Sequence, residues 1–138
     1  MVRNILLLLS LAFVASMATA QDVTAVIIDG RSMVPLRYVT ESLGASVTYD
    51  SRTRNTNISL DDQHVNMSTG SNIAFVDGNR VVMDTTPALI DGVTYVPVRF
   101  VSTNLGMDVI WISQTRQVRI AYPKTGKTIV LVVREAGI

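Results

Sequence analysis

Hydrophobic and polar positions follow one pattern twice along the chain. Residues 26–60 align without a gap on residues 88–122, at a constant offset of 62 positions. Fourteen of the 35 aligned positions are identical, and this agreement indicates two copies of one structural unit, here named the first and second repeats. The identical pairs are Ile28/Ile90, Asp29/Asp91, Gly30/Gly92, Val34/Val96, Pro35/Pro97, Arg37/Arg99, Val39/Val101, Leu43/Leu105, Gly44/Gly106, Val47/Val109, Ser51/Ser113, Thr53/Thr115, Arg54/Arg116 and Ile58/Ile120.

Each repeat begins with a predicted β-hairpin. A short apolar run leads into an Asp-Gly pair at residues 29–30 and again at residues 91–92. Asp-Gly is a strong hairpin signal because both residues tolerate positive φ. A second strand is therefore expected to return to Val34 in the first repeat and to Val96 in the second.

A helix of about nine residues is predicted to follow the hairpin. Pro35 and Pro97 suit the first helical position, where a missing N–H costs little, and Gly44 and Gly106 suit the left-handed residue after the helix. So short a helix is stable only when packed, so we expect it in the concave face of a twisted sheet. The expected apolar face comprises Leu36, Val39 and Leu43, or Val98, Val101 and Leu105, widened by Tyr38 and Phe100.

A second hairpin completes each repeat, with alternating strands on both sides of a polar turn. Trp111 aligns with Tyr49 in this hairpin and is expected in the core. Between the repeats, residues 61–87 contain one further strand and a hairpin that has no counterpart before the first repeat. The β-branched run Thr128–Val133 either replaces the strands that the first repeat lacks or pairs with a neighbouring chain, which would give a homodimer by strand exchange.

These elements predict an α+β fold, a tandem repeat of twisted antiparallel β-sheet units that each wrap around one short α-helix. The expected organisation is a signal peptide at residues 1–20, a first unit at 21–67 and a second unit with the C-terminal strand at 68–138. The hairpin at residues 73–83 is the leading hairpin of the second unit, and the first unit lacks a counterpart of it.

The first twenty residues have the features of an export signal. Arg3 precedes an apolar run that is too short to span a membrane, and Ala18-Thr19-Ala20 supplies the small residues that signal peptidase requires. No cysteine follows the run, so lipid attachment is excluded. We expect a secreted or periplasmic protein, or one of the cell envelope, with no membrane span after cleavage.

The amino-acid composition excludes most kinds of catalytic, metal-binding and nucleic-acid-binding site. Beyond Arg3, eleven basic and eleven acidic residues balance, so no nucleic-acid partner is expected. One histidine and no cysteine leave few metal ligands, and His64 beside two aspartates is expected to be a solvated surface group. The chain has no nucleophile elbow and no Gly-rich phosphate loop. We therefore expect no catalytic residue, no metal, no cofactor and no enzymatic activity.

Two segments carry a resemblance to a known family. VPLRYVTESLGASVTYDSRTRNTNISL (34–60) and YVPVRFVSTNLGMDVIWISQTRQVRIAY (95–122) resemble the copper amine oxidase N-terminal domain, also called the stalk domain. Residues 74–92 resemble the leading hairpin of that module. The resemblance implies an exported, antiparallel sheet around one helix, common in bacterial cell-envelope proteins. It does not imply an oxidase, whose copper site is built from three histidines, because this chain has only His64.

Arg37 and Arg99 are the repeated residues with two open interpretations. Each lies near the helix start, where a cation opposes the helix dipole. Each either forms a buried hydrogen bond to strand carbonyls or to Asp29 and Asp91, or binds a carboxylate or phosphate.

Three functions are consistent with the sequence. A structural or protein-interaction module is favoured, because every repeated residue can be explained as a determinant of the fold without a ligand. An exposed aromatic face would favour a domain that binds cell-wall polysaccharide or peptidoglycan. A long loop around residues 68–72 would favour a secreted inhibitor or accessory subunit of another enzyme. The partner is thus expected to be a protein or a cell-wall component.

Overall fold

The computed structural model describes residues 23–135, and the predicted signal peptide lies outside them. Within this range the chain forms strands and two short helices, none long and apolar enough to cross a membrane. The elements are β1 (Thr24–Ile28), β2 (Arg31–Pro35), α1 (Leu36–Ser42), β3 (Ser46–Asp50), β4 (Asn55–Leu60), β5 (Gln63–Ser68), β6 (Ile73–Val76), β7 (Asn79–Val82), β8 (Ala88–Ile90), β9 (Val93–Pro97), α2 (Val98–Leu105), β10 (Asp108–Ile112), β11 (Gln117–Tyr122) and β12 (Lys127–Glu135).

The Asp-Gly pairs form the hairpin turns that the sequence predicts. At residues 29–30, 77–78 and 91–92 both φ angles are positive, between 49° and 82°. Turns of this kind match the right-handed twist of the flanking strands. They fix the hairpins β1–β2, β6–β7 and β8–β9.

The strands form two sheets, and two helices accompany them. The seven-stranded sheet has the order β10-β11-β12-β1-β2-β9-β8, and the five-stranded sheet has the order β3-β4-β5-β6-β7. The fold is therefore mostly β, which is consistent with the predicted α+β class. The order strand–strand–helix–strand–strand occurs twice, as β1–β4 around α1 and as β8–β11 around α2.

The repeats meet at the antiparallel pair of β2 and β9. Val34 lies opposite Val96, Met33 opposite Pro97, and Pro35 opposite Tyr95. Val34 faces its own aligned residue, and the repeat offset exchanges the pair Met33–Pro97 with the pair Pro35–Tyr95. A local pseudo-twofold axis therefore passes through the Val34–Val96 pair.

The prolines occupy a different place from the one predicted. Pro35 and Pro97 end β2 and β9 and precede the first helical residue, so they are not the first residues of the helices. The fixed φ of proline suits an extended residue before a helix as well as a residue inside its first turn.

One hydrophobic core joins both sheets and both helices. Val39 of α1, Leu43 directly after α1, and Val101 and Leu105 of α2 are fully buried in it, as their spacing predicts. Tyr38 is not buried, although the expected apolar face included it.

The C-terminal strand covers one edge of the first repeat. β12 pairs with β11 in antiparallel and with β1 in parallel, from Thr24↔Val132 to Ile27↔Glu135. β1 is thus an internal strand, whereas β8, its aligned strand, ends the sheet.

Candidate functional site: a groove beside the first helix

A groove of about 990 Å³ opens beside α1 and extends to the edge strand β8. Its size lies in the range of ligand-binding clefts. Helix residues contribute both charge and apolar surface, and the β8–β9 hairpin contributes exposed aliphatic side chains. The lining used below comprises Arg37, Tyr38, Glu41, Tyr49, Leu89 and Val93.

Tyr38 is the residue that distinguishes this face of α1 from the same face of α2. Its side chain is 40% exposed, whereas the aligned Phe100 is only 4% exposed. The residues are similar in size and occupy the same helical position. The difference must therefore come from what covers them.

A segment between the repeats covers Phe100. Val81 to Asp84 lies against α2, where only about 180 Å³ of space remains. Met83 is buried in the same core cluster as Phe100, and Val81 packs against that cluster. The Asp84 carboxylate lies 3.6 Å from the guanidinium of Arg99.

The two spaces share four aligned lining positions. Both contain the strand-ending proline and helix positions that differ by the repeat offset of 62. The groove at α1 is therefore the open counterpart of the covered site at α2. The aligned lining residues are Pro35/Pro97, Arg37/Arg99, Tyr38/Phe100 and Glu41/Thr103.

The edge of β8 also differs from its counterpart. Leu89 is 61% exposed and lines the groove, whereas the aligned Ile27 packs against the core beside β12. β8 is the last strand of the seven-stranded sheet in the described chain. The two departures from pseudo-symmetry thus meet in one groove.

Arg37 and Arg99 both lie at the protein surface. The expectation of buried hydrogen bonds to strand carbonyls or to Asp29 and Asp91 is therefore not met. Asp29 and Asp91 are exposed positive-φ turn residues, and Arg99 pairs with Asp84 instead. Binding of an anion by these arginines stays a prediction.

Trp111 and Tyr49 are both about half exposed, so the prediction that Trp111 lies in the core is wrong. They lie on β10 and β3, each of which ends its sheet, so a neighbouring strand flanks them on one side only. Tyr49 lines the groove.

His64 lies at the surface, where its Nδ1 is 3.2 Å from the hydroxyl of Ser59. Its backbone N–H donates to Asp77 Oδ1 at 2.8 Å. No group of three histidine, cysteine, aspartate or glutamate side chains within residues 23–135 is placed to hold a metal ion. The donor set of this chain therefore does not fit a copper centre built on three histidines.

Tyr122 links the end of β11 to the turn between β4 and β5. Its ring is buried and its hydroxyl donates a hydrogen bond to Asp61, a contact that the sequence did not indicate. That hydrogen bond, together with burial and the nearby carboxylates of Asp61 and Asp62, raises the pKa of Tyr122 to about 12. The hydroxyl of Tyr122 therefore stays protonated and donates its hydrogen bond to Asp61 at the edge of the hydrophobic core.

The connection that would have favoured an inhibitor is short. β5 ends at Ser68 and β6 begins at Ile73, and the backbone N–H of Ser71 donates to the carbonyl of Ser68 at 3.3 Å. This tight turn offers no long loop for insertion into the active site of another enzyme.

A comparison with protein families finds one match over most of the chain. The family model described as Copper amine oxidase N-terminal domain matches residues 13–120. A search of the curated proteins finds no match.

Proposed function

Because the chain belongs to the copper amine oxidase N-terminal domain family, we propose that it is a non-catalytic stalk module that binds a protein partner through the groove beside Tyr38. In this proposal the chain carries two stalk units, of which the first lacks its leading hairpin. The groove is the place where that hairpin is missing.

One observation carries the proposal. Among the described residues, the same helix face is covered by a protein segment in the second repeat and is open in the first. The outer face of α2 is suited to contact with protein, because a protein segment packs on it. The aligned face of α1 has similar residues and is therefore suited to the same kind of contact. Its exposed apolar side chains, Tyr38, Leu89 and Val93, are typical of interface residues.

The setting proposed for this interaction is the bacterial cell envelope or its exterior. The support is the signal-like pattern of residues 1–20. Expression in a bacterial host, followed by mass spectrometry of the exported chain, should give a protein that begins at Gln21. A chain that keeps Met1 and stays in the cytoplasm would contradict this part of the proposal.

Binding through the groove can be tested by capture from an envelope fraction. Tagged residues 21–138, which contain every described strand and helix, would serve as bait alongside the variants Leu89→Lys and Val132→Lys. Both positions are exposed on strands of the same sheet, but only Leu89 lines the groove. We expect one defined protein to be retained by the unchanged chain and by Val132→Lys but lost with Leu89→Lys. Equal capture by all three baits would contradict binding through the groove.

A cell-wall polysaccharide or peptidoglycan is the second candidate ligand. Tyr38 and Tyr49 both line the groove with exposed rings, and aromatic rings of this kind stack on sugars. Sedimentation with purified peptidoglycan, repeated with Tyr49→Ala, distinguishes this function. Cosedimentation that depends on Tyr49, without a captured protein, would replace the protein-binding proposal.

A further inference from the structure

We propose that the groove takes an extended strand from a partner protein, other than a second copy of this chain, with the pattern apolar–any–apolar–acidic. The inference rests on the proposed protein-binding function and names the chemistry of the partner segment. Residues 81–84 of this chain provide the pattern.

The segment Val81–Asp84 shows how a strand fits this helix face. Met83 is buried and Val81 packs against the core, while Val82 between them is exposed. This alternation is that of an extended strand with one face on the protein. Asp84 then reaches Arg99 at the surface.

The same contacts are open at α1. Tyr38 takes the place of Phe100, and its exposed ring offers apolar surface to the two inward side chains of a strand. Arg37 takes the place of Arg99 and lines the groove. A carboxylate directly after the second apolar residue would therefore reach Arg37 as Asp84 reaches Arg99.

The partner protein also has a strand edge to pair with beside the groove. Among the described residues β8 ends the sheet and borders the groove through Leu89, whereas its counterpart β1 is paired with β12, a different segment from residues 81–84. An unpaired edge is a template for strand addition, which supplies affinity through main-chain hydrogen bonds. The helix side of the groove then supplies selectivity through side chains.

The charge of the groove favours an acidic segment. Arg37 and Arg134 line it together with one acid, Glu41. Arg134 is held in place because its Nε donates to Thr24 Oγ1 at 3.1 Å. A segment that ends in a carboxylate is therefore matched better than a basic one.

A second copy of the chain is a poor donor of this strand. Its own Val81–Met83 segment is already packed, and the strand residues of that segment pair with β6 from Ile73↔Val82 to Val76↔Asn79. To donate the segment, the second copy would have to expose Phe100 and part of its core.

The test uses the chain's own hairpin as the probe. A labelled synthetic peptide of residues 73–86 would be titrated into residues 21–138, and binding would be measured by fluorescence anisotropy. We expect saturable binding that Arg37→Glu weakens by at least about fivefold. A peptide with Asp84→Lys should bind the unchanged protein weakly and recover its affinity for Arg37→Glu. Arg119→Glu, on β11 outside the groove, is the control and should bind as the unchanged protein does.

Three outcomes would overturn the inference. The first is no binding at about 1 mM peptide. In that case, if capture from the envelope fraction still depends on Leu89, only the strand inference fails. If capture does not depend on Leu89, the proposed function fails as well. The second is binding that Arg99→Glu weakens and Arg37→Glu does not, which would mean that the peptide displaces residues 81–84 from α2. The third is a dimer of the protein that the peptide dissociates, which would assign the groove to a second copy.

Discussion

The two helices of this protein share their sequence pattern but not their surroundings. α1 and α2 each start after a strand-ending proline and bury two matched aliphatic residues in one core. Over α2 lies a segment of the intervening chain, and over α1 lies an open groove. The comparison shows that the repeated residues specify the element, whereas a segment outside the repeat determines whether its outer face is available for binding.

The largest expected difference between the repeats is the effect of removing the aromatic ring. Phe100→Ala should lower the free energy of unfolding by about 3 kcal/mol, because it opens a cavity under Val81–Asp84. Tyr38→Ala should lower it by less than about 1 kcal/mol, because the ring is already partly in water. Urea unfolding of both variants measures the two values, and equal losses would mean that the groove at α1 is closed in solution.

Local features of the fold could be predicted from the sequence with little error. The Asp-Gly turns, the strand bounds and the glycines after the helices depend on the φ preferences of single residues. The burial of Val39, Leu43 and their counterparts depends on helical spacing alone.

The candidate site could not be predicted because it depends on contacts between distant segments. The sequence treats Tyr38 and Phe100 alike, and only the position of residues 81–84 separates them. The pairing of β12 with β1, which leaves β8 at the edge, also joins the two ends of the described chain. The expectation that Trp111 lies in the core is wrong for a related reason. The alternation of apolar and polar residues along a strand does not reveal whether the strand has a neighbour on both sides or only on one.

The glycines after the helices should also differ. Gly106 has φ +67°, within the left-handed region, whereas Gly44 has φ +108°, outside the range that other residues adopt readily. No atom would contact an added Cβ at either position, so backbone strain alone determines the effect. Gly44→Ala should lower the free energy of unfolding by about 2 kcal/mol and Gly106→Ala by about 1 kcal/mol. Thermal unfolding of the pair measures the order, and a larger loss at Gly106 would contradict it.

Tyr122 adds a pH dependence that its aligned residue, Leu60, cannot have. Because the folded pKa of Tyr122 is about 12, above its ordinary value of 10.0, protonated Tyr122 stabilises the fold fully below pH 10. This contribution should disappear as the pH rises from 10 to 12. Tyr122→Phe should lower the free energy of unfolding at pH 7 by about 1 kcal/mol and should flatten the fall between pH 10 and 12. Denaturant unfolding of both proteins across this range tests it, and parallel pH profiles would argue against the Asp61 contact.

The smallest effect is expected at the ion pair that accompanies the covering segment. Arg99 and Asp84 have side chains that are 79% and 46% exposed, so water screens their attraction. Asp84→Asn should change the free energy of unfolding by less than about 0.5 kcal/mol, since the covering of Phe100 depends on the apolar contacts of Met83. A loss above about 1 kcal/mol in urea unfolding at low salt, removed by added salt, would show that the pair itself holds the segment. With a small loss, the role we expect for the aspartate is to set where the segment lies, because a shift of one or two residues in either direction brings an apolar or neutral residue against Arg99. We expect Arg37 to act in the same way on a partner strand, by fixing which residue of the strand lies against it. Its effect on the selectivity for the partner should then exceed its effect on the binding free energy.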